Sequence, residues 1–419
     1  MRMLYTLAWL ALLPFAFLYL LWRARLQPEY RRHWRERLGW APAAGVRPQI
    51  WVHAVSVGET RAAAPLIQNL RERYPGHDLL LTHATPTGRE TGRALFGESV
   101  RQAYLPYDFA PLTWLFLRRA RPALGIVMET ELWPALFRAC HRRGIPLLLL
   151  NARLSERSAR GYARFRPLAR AALHDLTGIA AQTQADAARL RDLGAESVTL
   201  TGNIKFDAAP AEPHARDRLR ALTGTRFTLL CASTREGEEV LLLDALSDLP
   251  RLNPDWLLLI VPRHPQRFDQ VAALLDARGL AWQRRSEEEP LRADTAVLLG
   301  DSMGEMAAYY AAADLCYVGG SLLPLGGQNL IEAAAAGCPA LLGPHTWNFM
   351  QAAEEAIACG AALRIEDAAG LRTAAESLHA HPERLAAMQA AGLAFAAANR
   401  GATARTLTLI ESIYPRVSG

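Results

Sequence analysis

The sequence predicts an α/β protein of two doubly wound, Rossmann-like domains behind a hydrophobic N-terminal helix. Three observations carry this. From Gln49 onward, short β-rich apolar runs alternate with amphipathic stretches, the rhythm of a mostly parallel sheet covered on both faces. The rhythm pauses at Ala208-Ala209-Pro210-Ala211-Glu212-Pro213 and then resumes. A chain of 419 residues with 51% apolar content also exceeds one ordinary domain and can fill two cores.

The elements follow in order. Met3 to Trp22 is a 20-residue run without charge, and a bilayer crossing needs about 20. Arg23, Arg25, Arg31, Arg32, Arg35 and Arg37 follow, against Glu29 and Glu36, so +4 of the net charge of +6 lies in this short stretch. By the positive-inside rule the body is cytoplasmic, and the cluster is placed to meet anionic headgroups. Expected here is a single-pass inner-membrane anchor over 1–22, a basic segment over 23–48, and a first domain over 49–207. A linker over 208–215, a second domain over 216–381 and C-terminal helices over 382–419 packing back on the first domain complete the chain. The local charge excess speaks against a nucleic-acid-binding surface. Five scattered cysteines without a CxxC spacing speak against a disulfide framework or zinc site.

Strands are expected at Ile50–Val55, 79–82, 123–128, 147–151, 178–181 and 198–201 in the first domain. In the second they are expected at 227–232, 256–261, 295–299, 315–318 and 340–342. Ligands of such sheets sit at the carboxyl ends of the strands, so residues there are weighed first. Glu59, in Val55-Ser56-Val57-Gly58-Glu59-Thr60, is either a general base or an acid complementing a helix dipole. In Met128-Glu129-Thr130-Glu131-Leu132-Trp133-Pro134 either acid could cap a helix. Glu129 lies nearer the strand end and is the stronger candidate. Lys205 is the single lysine beside 46 arginines. A compact ammonium is not interchangeable with a planar guanidinium, although an arginine-rich composition also leaves stray lysines.

The second domain offers Arg263 and His264 between two prolines, Gly300-Asp301-Ser302-Met303-Gly304-Glu305-Met306, Gly319-Gly320-Ser321, and Gly326-Gly327-Gln328-Asn329-Leu330-Ile331-Glu332. Glycines let backbone approach a phosphate, and a helix N-terminus favours its charge. GxGxxG, GxxxxGK[ST] and HExxH motifs are missing, which disfavours NAD, ATP and zincin chemistry.

Together these motifs resemble a GT-B glycosyltransferase and, more narrowly, the lipid A 3-deoxy-D-manno-octulosonic acid (Kdo) transferases. SVGE (56–59), METELWP (128–134), GNIKFD (202–207), PRHPQRF (262–268), GDSMGEM (300–306), VGGSLLPLGGQNLIEAA (318–334) and LLGPHTWNF (341–349) carry the resemblance. Gln328, Leu330 and Ala333 depart from it. The resemblance implies Glu59 as general base and Glu129 and Lys205 as transition-state stabilisers. It implies a CMP site at Arg263, His264, Met303, Gly304, Glu305, Met306, Asn329, Leu330, Ile331 and Glu332. It further implies inverting transfer from CMP-Kdo to lipid IVA in lipopolysaccharide synthesis, with no metal and no cofactor, at the membrane's inner leaflet.

Overall fold

The computed structural model describes residues 2–207 and 213–415. Most of the linker, 208–212, therefore lies outside the described residues. The chain divides into two compact units, Met1–Ala208 with Arg400–Gly419, and Ala209–Asn399. Each contains one parallel seven-stranded sheet.

In the first unit the strands are β1 (Gln49–His53), β2 (Asp78–His83), β3 (Arg101–Tyr104), β4 (Pro122–Met128), β5 (Leu147–Ala152), β6 (Gly178–Ala181) and β7 (Val198–Leu200), in the order β3-β2-β1-β4-β5-β6-β7. Parallel pairing brings all seven carboxyl ends to one edge. β5 reads Leu-Leu-Leu-Leu-Asn-Ala and is buried throughout, as a central strand covered on both faces must be. One layer of core lies around Trp51, Phe116 and Phe137. The opposite layer lies around Ile50, Leu66 and Ile126. The Trp51 indole N–H donates to Thr82 Oγ1 at 2.8 Å, so its burial leaves no polar atom unmet.

The second unit has β8 (Phe227–Thr234), β9 (Trp256–Pro262), β10 (Trp282–Arg284), β11 (Val297–Leu299), β12 (Leu315–Val318), β13 (Ala340–Leu342) and β14 (Ala362–Arg364), ordered β10-β11-β9-β8-β12-β13-β14. The sequence pattern located every strand except β3, β10 and β14. All three are edge strands, three or four residues long and carrying Arg101, Arg284 and Arg364. Edges are kept short and charged because they have a free hydrogen-bonding side, which erases the apolar run that betrays interior strands.

Residues 382–419 do not act as one piece. The helix Pro382–Asn399 packs within the second unit on the helices Ile331–Ala335 and Ala368–Ala380. Gly401, at φ +87°, then turns the chain, and the helix Ala402–Ile413 packs on the first unit. There Arg73 pairs with Glu411 at 2.6 Å, and the Tyr74 hydroxyl donates to the Tyr414 carbonyl at 2.7 Å.

The hydrophobic segment forms the helix Arg2–Leu26, of which Tyr5–Arg25 is long and apolar enough to cross a membrane. It does not stand clear of the folded body. The Tyr5 hydroxyl donates to Asp108 at 2.7 Å, Trp9 and Phe17 pack on Tyr107, and Leu20 and Ala24 are buried with Tyr30. The other face, including Leu7, Leu10, Phe15, Leu18 and Trp22, is bare.

Candidate active site

In the first unit, Glu59, Glu129 and Lys205 lie beyond the carboxyl ends of β1, β4 and β7. Ser56 caps the helix Val57–Arg73, its hydroxyl oxygen accepting from the Glu59 N–H at 3.4 Å. The Glu59 carboxylate reaches back, accepting the Val55 N–H at 2.8 Å and the Ser56 hydroxyl at 3.1 Å. This is a variant of the capping box, so the dipole-complementing role weighed from sequence is real. It also fixes the side chain. Burial, then the nearby Glu129 carboxylate, pushes the Glu59 carboxyl up to about 7, against the lowering effect of the Val55 N–H. A carboxylate poised near neutrality is what a general base requires.

Glu129 follows the last residue of β4 and sits in the left-handed region, φ +56°. Its N–H still donates to the Leu150 carbonyl at 2.8 Å. A non-glycine residue held there costs on the order of 1–3 kcal/mol and persists only when its surroundings dictate it. Glu129 Oε1 receives Lys205 Nζ at 2.7 Å, with both side chains mostly buried. Lys205 is presented by a one-turn 3-10 helix, Ile204–Asp207. Asn203 Oδ1 accepts the Lys205 N–H at 3.0 Å, and Asn151 Oδ1, itself at φ +54°, accepts the Ile204 N–H at 3.1 Å. Asp207 closes the motif structurally, accepting the N–H groups of Gly401 and Thr403 at 2.6 and 2.5 Å.

Glu131, the weaker of the two acids weighed in the sequence after β4, is pushed up to about 7 by burial and by Glu129. It is a third carboxyl beside the pair. The acid that does serve the helix Pro134–Arg142 is Asp108, which accepts the Ala135 and Leu136 N–H groups at 3.0 and 2.8 Å. Nothing in the sequence around Asp108 signals this distant cap. His53 and His83, at the ends of β1 and β2, are pushed by burial down to about 3 and about 4. They are neutral at physiological pH and bonded to Thr82, Ala54 and Gln102.

In the second unit, Arg263 follows β9. Its N–H donates to the Thr234 carbonyl at 2.9 Å and its Nε to Gln328 Oε1 at 3.3 Å. His264 is exposed, and partial desolvation with the Arg235 and Arg263 guanidinium groups pushes its imidazole down. Met303 and Gly304 are exposed at a turn where Gly304 has φ +88°. Glu305 caps no backbone. It accepts the Ser302 hydroxyl at 2.6 Å and pairs with Arg285 at 3.1 Å. Met306 Sδ lies 3.6 Å from Ser233 Oγ. Asn329 donates to Glu332 at 2.8 Å and accepts the Ile331 N–H at 3.0 Å, which ties the turn into the next helix. Leu330 and Ile331 are 2% and 1% exposed. Their side chains belong to the core, so this pair can offer a ligand backbone only.

The residue that organises these loops was not singled out from sequence. Glu238 is fully buried and accepts four hydrogens: from the Arg235, Gly320 and Leu322 N–H groups at 2.9, 2.6 and 3.2 Å, and from the Tyr317 hydroxyl at 2.5 Å. Glu239 receives the Thr234 hydroxyl and Arg267. The signal was present as Gly237-Glu238-Glu239 opening a helix directly after β8. Gly319 is required by close approach, since a Cβ there would lie 2.4 Å from the Ser233 carbonyl oxygen.

Two sheets of this order place the chain in a known architecture. UDP-GlcNAc 2-epimerase from Neisseria meningitidis, solved bound to UDP-GlcNAc, superposes with a TM-score of 0.59 at 16% identity, covering 87% of this chain and all of that one. The protein has a GT-B-like α/β fold. Residues 32–208 match the family described as 3-Deoxy-D-manno-octulosonic-acid transferase (kdotransferase). The 3-deoxy-D-manno-octulosonic acid transferase of Bordetella pertussis is 47% identical over 98% of this chain and 99% of its own length. That of Haemophilus influenzae is 38% identical over 93% of each. The chain belongs to the Kdo transferase family and is a glycosyltransferase.

Proposed function

We propose that the protein transfers Kdo from CMP-Kdo to the sugar headgroup of a lipid A precursor such as lipid IVA, with inversion and without a metal ion, releasing CMP. The observation that carries this reading is Glu59, its carboxyl pushed up to about 7 beside the Glu129–Lys205 pair. In the step we envisage, Glu59 takes the proton of an acceptor hydroxyl. The hydroxyl oxygen bonds to the anomeric carbon as the bond from that carbon to the phosphate oxygen breaks, and CMP leaves with the electron pair. Lys205 and Glu129 stabilise charge on the reacting groups in the transition state. Donor recognition falls to the loops after β8, β9, β11 and β12.

Membrane association fits an amphiphilic acceptor, because confinement to the leaflet raises its effective concentration. We assign this to the bare apolar face of the helix Arg2–Leu26 and the arginines after it, with the body on the cytoplasmic side of the inner membrane.

Purified protein incubated with CMP-Kdo and lipid IVA should yield a product heavier by Kdo, seen by mass spectrometry, and equimolar CMP. Transfer from a UDP-sugar instead would refute the donor assignment.

A further inference from the structure

We propose that Arg235 is a donor-binding residue that grips an anionic group of the nucleotide sugar together with Arg263. This rests on the nucleotide-sugar reading above and adds a residue that neither the motifs nor the family resemblance assigns.

Arg235 is built into the loop after β8 with unusual firmness. Ser233 adopts φ +54°, where the register of β8 on β9 shifts between Ala232 and Thr234. The Arg235 N–H and carbonyl are both engaged by Glu238, the N–H donating to the carboxylate and the carbonyl accepting the Glu238 N–H, each at 2.9 Å. The side chain then runs past the glycine-rich turn after β12. A Cβ built on Gly320 would lie 3.6 Å from Arg235 Cγ and 3.2 Å from Gln328 Nε2. Gln328 is the residue whose amide oxygen accepts from Arg263. Thus Arg235, Gly320, Gln328 and Arg263 form one continuous cluster at the carboxyl ends of β8, β9 and β12.

The guanidinium of Arg235 makes no hydrogen bond or ion pair with any described residue, although the side chain is half-buried. Of the acids that open the helix after this loop, Glu238 is held by its four donors and Glu239 by Arg267 at 2.9 Å. His264, next to Arg263 at the same sheet edge, has its imidazole pushed down by partial desolvation and by both guanidinium groups. A half-buried guanidinium that meets no protein acceptor is left short of the hydrogen bonds its burial costs it, and an anion supplies them. A guanidinium offers a planar fork of donors suited to a phosphate or a carboxylate. The donor supplies both, on CMP and on the Kdo sugar.

The test is calorimetric titration of the full-length protein in detergent with cytidine, CMP and CMP-Kdo. Loss of a charge-assisted hydrogen bond predicts that Arg235→Ala weakens CMP-Kdo binding about 10- to 100-fold. Cytidine affinity and thermal stability should stay at wild-type values, and Arg235→Lys should recover part of the loss. A deficit already present with CMP assigns the grip to the phosphate, and one seen only with CMP-Kdo assigns it to the sugar carboxylate. Wild-type affinity of Arg235→Ala for both CMP and CMP-Kdo would overturn the proposal. So would an equal loss of cytidine binding, which marks a structural role. If the wild-type protein binds UDP and not CMP, the donor reading fails, and the same comparison run with uridine and UDP decides the role of Arg235.

Discussion

Replacing Glu59 with glutamine should abolish turnover and, at alkaline pH, make the protein more stable. The structure gives the size of the second effect. The carboxyl moves from an ordinary 4.5 to about 7, chiefly by burial and then by Glu129. An acid whose folded value is raised favours folding fully below its unfolded value and loses that contribution as pH climbs through the folded one. For Glu59 the loss runs from pH 4.5 to 7 and amounts to about 3 kcal/mol at pH 8. Glutamine keeps the shape and has no charge to desolvate. Its amide oxygen can accept the Val55 N–H and its amide group can donate to Ser56, so the cap survives in part. Urea unfolding in detergent at pH 5 and pH 8 should show the variant gaining about 1–3 kcal/mol over wild type at pH 8 and little at pH 5. In wild type, kcat/KM should rise with pH, pass half its maximum near 7 and level off about one pH unit higher as the base ionises. Turnover retained by Glu59→Gln would remove the residue from the base role. A stability difference independent of pH would refute the argument from burial.

Glu131→Gln should show the same pH-dependent stabilisation, since burial and Glu129 raise Glu131 to about 7 as well; a pH-independent difference in urea unfolding would contradict this. Lys205→Arg should lose nearly as much kcat as Lys205→Ala, because a planar fork cannot take the place of an ammonium held 2.7 Å from Glu129 in a mostly buried site; near-normal kcat in the arginine variant would return the lone lysine to chance. Asp207→Ala strands two backbone donors of the helix Ala402–Ile413 and should cost about 1–2 kcal/mol in urea unfolding. Charging the bare face of the N-terminal helix, as in Phe15→Glu with Leu18→Glu, should shift the protein from the membrane to the soluble fraction on cell fractionation.

What could be read from the sequence was what repeats locally. Interior strands such as β5 announce themselves because both faces are buried, and the candidate site residues lie just past the carboxyl ends of parallel strands. Glu59, Glu129 and Lys205 were found that way, and the structure brings them together. Asp108 and Glu238 were not found, for different reasons. Asp108 caps a helix that begins 26 residues later, and no local pattern predicts a partner so far along the chain. Glu238 reads as an ordinary first-turn acid, and its four donors come from the loop before it, from β12 and from the loop after β12. Leu330 and Ile331 lie in the same motif with buried side chains, which leaves their backbone as what they can offer a ligand.

Each unit builds its site with the same device. At or near the carboxyl end of a parallel strand one non-glycine residue turns left-handed, and a buried polar side chain locks a neighbouring loop. In the first unit these are Glu129 at φ +56° and Asn151 at φ +54°, with the Asn151 amide oxygen holding the turn that carries Lys205. In the second it is Ser233 at φ +54°, with Glu238 holding Arg235 and Gly320. Left-handed strain of this kind costs on the order of 1–3 kcal/mol per residue, and selection for stability alone would replace each with glycine. Glycine would also free the backbone to take other angles and release the side chain that follows. The strain therefore aims two side chains: an ammonium on a carboxylate in one sheet, and a guanidinium beside the glycine-rich turn after β12 in the other.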